Sequence, residues 1–228
     1  MLARDVMSVG VVTAHAGTPL VDVVQLMLEH NVSALPVLDA DGQLAGIVSE
    51  GDLIQRDEIG TLPSRSWWLS AIGTRAQLAD DFIKSHGKTA GAVMTSQVVT
   101  AQPDTPLQYV AELLERHKIK RVPIVENGKV VGIVSRANLL QALALQQAAA
   151  QNAPASDDRA LRVRLLEALQ RETWADTSHL NVIAKEGVIH LWGQVRSQPE
   201  RDALILAAKG VPGVKDVVDH TDRTVTVF

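Results

Sequence analysis

The chain has 228 residues, no cysteine and a formal net charge of −4 at pH 7. The absence of cysteine excludes a disulfide framework and a zinc site built on thiolates. Because charges of both signs are mixed along the chain without a basic stripe, nucleic-acid binding is not expected. The sequence shows neither a run of about 18 apolar residues nor a secretory signal, so we expect a soluble cytoplasmic protein.

An internal repeat organises the first two thirds of the chain. Residues 46–53, Gly-Ile-Val-Ser-Glu-Gly-Asp-Leu, return as residues 132–139, Gly-Ile-Val-Ser-Arg-Ala-Asn-Leu. Landmarks upstream recur 87 residues later, whereas the glycine of this motif recurs after 86: Met7 as Met94, Pro19 as Pro106, Pro36 as Pro123. Since loops absorb deletions, the lost residue is expected in the turn of a hairpin.

Each copy predicts the same elements in chain order. Thr18-Pro19 and Thr105-Pro106 each predict an N-capped helix with apolar residues at helical spacing. A strand around Pro36 or Pro123 follows, and a hairpin leads to a second strand that ends at the serine of the repeated motif. A helix begins there, so the motif forms a polar corner between strand and helix. We call Ser49 to Asp52 the first corner and Ser135 to Asn138 the second corner.

These motifs, in this order and twice, resemble the CBS domain, named after cystathionine β-synthase. The resemblance is carried by Asp5-Val6-Met7, Val11-Val12-Thr13, Ala34-Leu35-Pro36-Val37 and the corner, with matching segments in the second copy. Two such units in tandem resemble a Bateman module, which implies one pseudo-symmetric module and pairing into a homodimer. The implied boundaries are repeat 1 at 1–55, an insert at 56–90 and repeat 2 at 91–145.

The insert contains adjacent tryptophans, Trp67 and Trp68. Neighbouring side chains cannot both face the same side of a helix or strand, so one needs its own cover. Packing over the module's own apolar surface is the first interpretation. A dimer contact and stacking on a nucleobase are the alternatives.

The last third of the chain has a different pattern. Residues 146–156 lose their apolar period and contain Pro154, which predicts a flexible linker. Residues 157–228 predict a helix capped by Ser156, two strands joined by Glu186-Gly187, a helix from near Pro199 and a strand from Val214 to His220. A final run, 224–228, is a candidate extension of the sheet. This αββαβ order, with the motifs at 187–193 and 211–217, resembles a BON domain.

The predicted fold class is therefore α/β (α+β), with two CBS units and a small αββαβ BON domain. The BON resemblance implies attachment to phospholipid or to another protein. From Asp157 onward the sequence carries ten basic and eleven acidic residues. Attraction to anionic lipid thus has no electrostatic source, and contact with a protein or a ligand pocket is at least as well supported.

The CBS resemblance implies an adenine-nucleotide site in each repeat. In the first, Ser49 is implied near phosphate and Asp52 on the ribose hydroxyls, with the base lined by Val12, Thr13, Ala34, Leu35, Pro36 and Val37. In the second, the corresponding residues are Val99, Thr100, Arg121, Val122, Pro123, Ile124, Ser135 and Asn138. A carboxylate can accept two hydroxyl hydrogen bonds, whereas the neutral amide of Asn138 makes weaker ones.

A purely structural interpretation of the corners stands beside this one. Ser49 and Asp52 have the spacing of a capping box, and Ser135 with Asn138 is a weaker version. Lys120, Arg121 and Arg136 either meet phosphates at the second corner or form a solvated basic face.

Catalysis is not expected. The seven histidines are scattered without metal-ligand spacing, and neither a Walker loop, a nucleophile elbow nor a dinucleotide fingerprint occurs. We therefore expect a non-enzymatic regulatory protein of signal transduction that needs no catalytic cofactor or metal and binds an adenine nucleotide of the AMP, ADP or ATP class. The alternative is an interaction scaffold that binds no nucleotide.

Overall fold

The computed structural model describes residues 1–54, 86–147 and 156–223. The predictions made for Trp67 and Trp68, for most of the linker and for the run 224–228 lie outside these residues and stay predictions. The chain divides into two compact units, one of residues 12–98 and one of residues 1–11 with 99–228. We call them the first unit and the second unit.

The described residues form both helices and strands, in keeping with the predicted α/β (α+β) class. In chain order they are α1 (Ala3–Val6), β1 (Ala14–His15), α2 (Leu20–Glu29), β2 (Ala34–Leu38), β3 (Leu44–Ser49), α3 (Glu50–Ile54), α4 (Ala90–Val93), α5 (Leu107–Arg116), β4 (Arg121–Glu126), β5 (Lys129–Ser135), α6 (Arg136–Gln147), α7 (Ser156–Gln170), β6 (Leu180–Lys185), β7 (Val188–Val195), α8 (Gln198–Lys209) and β8 (Asp216–Arg223).

The first unit contains a three-stranded sheet in the order β1-β2-β3, in which β1 is parallel to β2 and β2 is antiparallel to β3. Apolar side chains of α2 pack on this sheet, because their helical spacing gives one apolar face. The core includes Val23, Leu35, Val48 and Val93, which are fully buried.

The second repeat folds in the same way within the second unit. Its strands β4 and β5 form the predicted hairpin, and the turn at Asn127 and Gly128 has φ values of 51° and 81°. Two positive φ values indicate the tight turn that fits the twist of paired strands, and Asn-Gly is the preferred sequence for it. The first repeat has a longer loop between Leu38 and Leu44, which confirms that the deletion falls in the hairpin.

The predicted capping of α2 and α5 by threonine is wrong. The helices begin at Leu20 and Leu107, and their N-cap positions are prolines without a side-chain hydrogen bond. Instead, the hydroxyl of Thr18 accepts from the backbone N–H of His15, and the hydroxyl of Thr105 accepts from that of Gln102. Each threonine therefore closes the turn that precedes its helix. Its hydroxyl and the N–H that it accepts from are three residues apart, which is also the spacing of a helix cap.

The segment before each repeat's first strand packs on the other copy of the repeat. In the second unit Ser8 pairs with Ile133, and in the first unit Thr95 pairs with Ile47. The neighbouring methionine packs against the glycine of the corner motif, Met7 against Gly132 and Met94 against Gly46. A β-carbon at either glycine would collide with the methionine sulfur. This close approach therefore favours glycine at this position of the repeat.

The C-terminal segment has the predicted αββαβ order. Its sheet is β6-β7-β8, with β6 antiparallel to β7 and β7 parallel to β8. The third strand begins at Asp216 and ends at Arg223, slightly later than predicted. Helices α7 and α8 contribute Leu165, Leu169 and Leu204 to a core that Ile189 and Leu191 complete from the sheet.

This C-terminal domain packs on the second repeat within the second unit. Ile183 of β6 joins a core cluster that contains Val6 and Ala142. Arg162 is 6% exposed and donates to the backbone carbonyls of Met7 at 2.6 Å and Val182 at 2.7 Å. Burial lowers the pKa of Arg162 to about 10, so its guanidinium stays charged at neutral pH. The C-terminal domain is thus packed on the second repeat, whereas a flexible linker would allow the two to move independently.

Two histidines share one face of the C-terminal sheet. His190 Nδ1 lies 3.2 Å from His220 Nε2, and the ring of His220 stacks on Trp192 with centroids 3.8 Å apart. Burial lowers the pKa of both imidazoles. The nearby charges of His220 and Lys185 lower that of His190 further, while Asp216 opposes this, and Asp219 opposes the shift of His220.

We expect Asp158→Ala to destabilise the C-terminal domain far more than Asp157→Ala. The carboxylate of Asp158 is 3% exposed and accepts the N–H groups of Glu186 and Gly187, at 2.9 and 2.8 Å, in the turn between β6 and β7. Losing such charge-assisted bonds costs about 1.5–3 kcal/mol each. Asp157 is exposed, so its replacement should change stability by less than about 0.5 kcal/mol. Urea unfolding of both variants measures this, and equal losses would contradict the role of Asp158.

The histidine pair should make the domain less stable in mild acid. A folded-state pKa below the ordinary value of about 6.5 means that the unfolded chain binds protons first as the pH falls. The stabilisation contributed by the neutral imidazoles is therefore complete above about pH 6.5. It is lost as the pH falls below that value toward the lowered pKa of the folded state. His190→Gln should flatten the dependence of melting temperature on pH across this window, whereas the exposed His117→Gln should leave it unchanged. A pH dependence as steep in His190→Gln as in the wild type would refute the assignment, because only the part due to His220 should remain.

Candidate ligand-binding corners

The first corner joins the end of β3 to the start of α3. The backbone N–H and the hydroxyl of Ser49 both donate to Asp52 Oδ2, at 2.9 and 2.7 Å. Ala34 lies opposite Ser49 in the β2/β3 register, and both corner side chains are half-buried. A carboxylate three residues after the N-cap that accepts the N-cap's N–H is one half of a capping box.

The second corner has the same geometry with one addition. The N–H and hydroxyl of Ser135 donate to Asn138 Oδ1, both at 2.7 Å, and Asn138 N–H donates to Ser135 Oγ at 3.5 Å. Asn138 is only 4% exposed, and its Nδ2 donates to Ser8 Oγ at 3.4 Å. The structural interpretation of the corners as helix caps is therefore what the geometry shows. Their contact with a nucleotide stays a prediction.

The sheet register brings the predicted base-lining segments together within each unit. Ala14, directly after Val12-Thr13, pairs with Val37, and Ala101, directly after Val99-Thr100, pairs with Ile124. The predicted lining residues whose side chains are fully buried in their unit's core are Leu35, Val37, Val122 and Ile124. Because those side chains are packed in the core, a ligand beside these residues would contact their backbone. The prolines Pro36 and Pro123 are also buried.

The two corners carry opposite charges. At the second corner Arg121 lies opposite Ser135 in the strand register, and the N–H of Arg136 donates to the carbonyl of Lys120 at 3.3 Å. At the first corner the equivalent bond runs from Glu50 to Ser33 at 3.1 Å. Three cations at the second corner thus correspond to one serine, one alanine and one glutamate at the first, where Asp52 adds a further carboxylate.

The sequence does not single out two tertiary contacts. Ser8, which follows the Asp5-Val6-Met7 motif, contacts Asn138 through its hydroxyl, and a contact across 130 residues of chain leaves no local pattern. The cross-strand pairing of Trp192 with His220 depends on the β7/β8 register, which no spacing along the chain specifies.

Comparison with known proteins agrees with this architecture. The CBS domain family model matches residues 3–58 and 90–145, and the BON domain model matches residues 157–222. An uncharacterized protein of Methanocaldococcus jannaschii is 34% identical over 154 residues, which are 63% of this chain and 91% of that protein.

The chloroplastic CBS domain-containing protein CBSX2 of Arabidopsis thaliana is 34% identical over 131 residues, and the chain spans 55% of its length. The crystal structure of CBSX2 in complex with AMP matches with a TM-score of 0.56 and 31% identity, over 65% of this chain and 99% of that one.

Among the described residues, no helix has the length and apolar character needed to cross a bilayer. Both repeats and the C-terminal segment are matched by family models. The chain belongs to the proteins that carry a tandem pair of CBS domains, followed here by a BON domain.

Proposed function

We propose that this protein is a non-enzymatic sensor whose CBS pair binds an adenine nucleotide and regulates a BON domain that engages a partner. The observation that carries this proposal is the pair of serine corners, each of which holds an Asp or Asn side chain at the start of a helix. The likeness to a CBS-domain protein crystallised with AMP supports it.

The cap and the ligand contact are compatible at the first corner. An ionised carboxylate offers about four acceptor positions on its two oxygens. Both hydrogen bonds from Ser49 fall on Oδ2 of Asp52, so the cap by itself uses only part of this acceptor capacity. The capping geometry by itself supports the alternative, an interaction scaffold without a ligand.

The charge difference between the corners supports different ligand preferences. Coulomb attraction to Lys120, Arg121 and Arg136 grows with each phosphate, whereas repulsion from Glu50 and Asp52 grows in the same way. The second corner therefore suits a ligand with more phosphates, and the first corner suits an adenosine ligand with few.

The BON domain is proposed to engage a protein partner in preference to anionic lipid. Its near-balanced charge supplies little attraction to a negative membrane surface. The CBS pair is proposed to form a homodimer. An exposed apolar stripe on α2, formed by Val21, Val24 and Leu28, supports this proposal.

Asp52→Ala should weaken AMP binding at the first corner by roughly 10- to 100-fold, because one or two charge-assisted hydrogen bonds of about 1.5–3 kcal/mol are lost. Isothermal calorimetry measures the affinity, and melting measures the loss of the cap, about 0.5–2 kcal/mol. Asp41→Ala, in the exposed hairpin loop, is the matched control. In a thermal-shift measurement, a ligand at 100 times its Kd should stabilise the folded protein by about 2.7 kcal/mol. If AMP, adenosine and ATP all fail to stabilise the wild type, the scaffold alternative holds.

Exchanging the charge at equivalent exposed positions should exchange the ligand preference. Arg136→Glu should lower ATP affinity at the second corner by about ten-fold and adenosine affinity much less, because only phosphates carry charge. Glu50→Arg should raise ATP affinity at the first corner. Titrations with adenosine, AMP and ATP compare the three ligands, and shifts that do not increase with phosphate number would contradict the electrostatic preference.

A further inference from the structure

Residues 5–10, which we call the strap, lie between the second corner and the C-terminal domain. On one side of the strap, Ser8 exchanges both backbone hydrogen bonds with Ile133, each at 2.9 Å. The hydroxyl of Ser8 also accepts a hydrogen bond from Asn138 Nδ2. The strap is thus bonded to the strand that leads into the corner and to the corner side chain itself.

The other side of the strap is held by the C-terminal domain. Arg159 donates to both carboxylate oxygens of the buried Asp5, at 2.7 and 3.2 Å. Arg162 donates to the carbonyl of Met7, the residue next to Ser8. The backbone of Gly10 approaches that of Thr177 so closely that a β-carbon would collide with it. Asp5, Met7 and Gly10 of the strap therefore all contact the C-terminal domain.

The internal repeat supplies a comparison within the same chain. The equivalent of Ser8 is Thr95, which keeps the strand pairing, with Ile47. The equivalents of Asp5 and Gly10 are Ala92 and Gln97, which offer neither the carboxylate nor the bare backbone. The strand contact is common to both repeats. The features that receive the C-terminal domain occur only in the copy that pairs with the second repeat.

Helix α6 makes a second connection between the same two places. It begins at the second corner, and its far end meets β6 of the C-terminal domain. Asn181 Nδ2 donates to Gln141 Oε1 at 2.6 Å, and Lys185 Nζ donates to the carbonyl of Leu145 at 2.7 Å. A lysine at a helix C-terminus is favoured by the helix dipole.

Among the described residues, the contact between the C-terminal domain and the second repeat contains buried polar atoms that lack hydrogen bonds, which favours release of the domain. Asn181 Oδ1 and Trp192 Nε1 are buried without a hydrogen-bond partner among residues 1–54, 86–147 and 156–223, and these two residues lie opposite each other in the β6/β7 register. Unpaired buried polar atoms favour a state in which water reaches them.

We propose that ligand at the second corner is coupled through the strap to the seating of the C-terminal domain. A ribose that bonds to Asn138 competes with Ser8 and Ser135 for its amide, which loosens Ser8 and, through Met7 and Asp5, releases Arg162 and Arg159. Ligand binding and domain docking then oppose each other. The inference rests on the proposed function of the second corner and names what that site regulates.

Coupling of this kind is reciprocal. If AMP lowers the docking equilibrium by a given factor, weakening the docking must raise AMP affinity by up to the same factor. Arg159→Gln removes the charge that pairs with Asp5 and should raise both domain release and AMP affinity at the second corner by about five-fold or more. Arg164→Gln, on the exposed face of the same helix, is the matched control and should change neither.

The natural absence of cysteine allows release to be measured with a single thiol. Ile183→Cys reports exposure of the face that packs on the second repeat, and Leu191→Cys reports opening of the C-terminal domain's own core. Both positions are fully buried. Labelling by a soluble disulfide reagent proceeds only from opened molecules, so its rate follows the open population. The full chain is used, with Asp52→Ala added to weaken AMP binding at the first corner.

Saturating AMP should speed labelling at position 183 by about five-fold or more and leave position 191 unchanged. Ser8→Ala should abolish the response while AMP still binds, and the equivalent Thr95→Ala should not. If AMP binds the Asp52→Ala chain by calorimetry and labelling at 183 does not rise, the coupling is refuted while nucleotide binding stands. If only ATP binds that chain, ATP takes the place of AMP in the labelling. If neither AMP nor ATP binds it, the coupling is also refuted, and binding to wild type then decides the first corner separately.

Discussion

The backbone pairing of Ser8 with Ile133 is the contact on which the second unit depends. It holds Met7 against Gly132, places the hydroxyl of Ser8 at Asn138 and presents the carbonyl of Met7 to Arg162. The pairing tolerates almost any side chain at position 8, because it uses main-chain groups. What it requires is a glycine at 132, where a β-carbon would displace the methionine.

Buried charge makes the domain contact specific. Asp5 and Arg162 leave water only because each meets directed hydrogen-bond partners, and a buried charge that loses its partner is strongly destabilising. An apolar contact of the same area would bind through burial alone and would respond little to a change at the strap. Charged groups that need partners respond when a neighbouring bond is altered, which is a property useful in a sensor.

Duplication followed by divergence explains the asymmetry of the two repeats. Both corners keep the serine and the bonds that begin a helix, because every copy needs that cap. The residues around the cap differ in charge, Glu50 against Arg136, and in attachment, since Ala92 corresponds to Asp5. Positions that serve folding are thus shared, and the positions that meet the C-terminal domain differ between the two copies.

The sequence by itself determined the repeats, the hairpins with their deletion, the corners and the αββαβ order, because these features rest on local spacing and turn chemistry. It predicted threonine caps that the structure replaces with turns, since one three-residue spacing serves both. Only the tertiary structure decided that the segment before each repeat packs on the other copy and that Arg159, Arg162 and Lys185 dock the C-terminal domain. Contacts such as Arg162 with Met7 join residues 155 apart, and periodicity along a chain carries no record of which distant surfaces will meet.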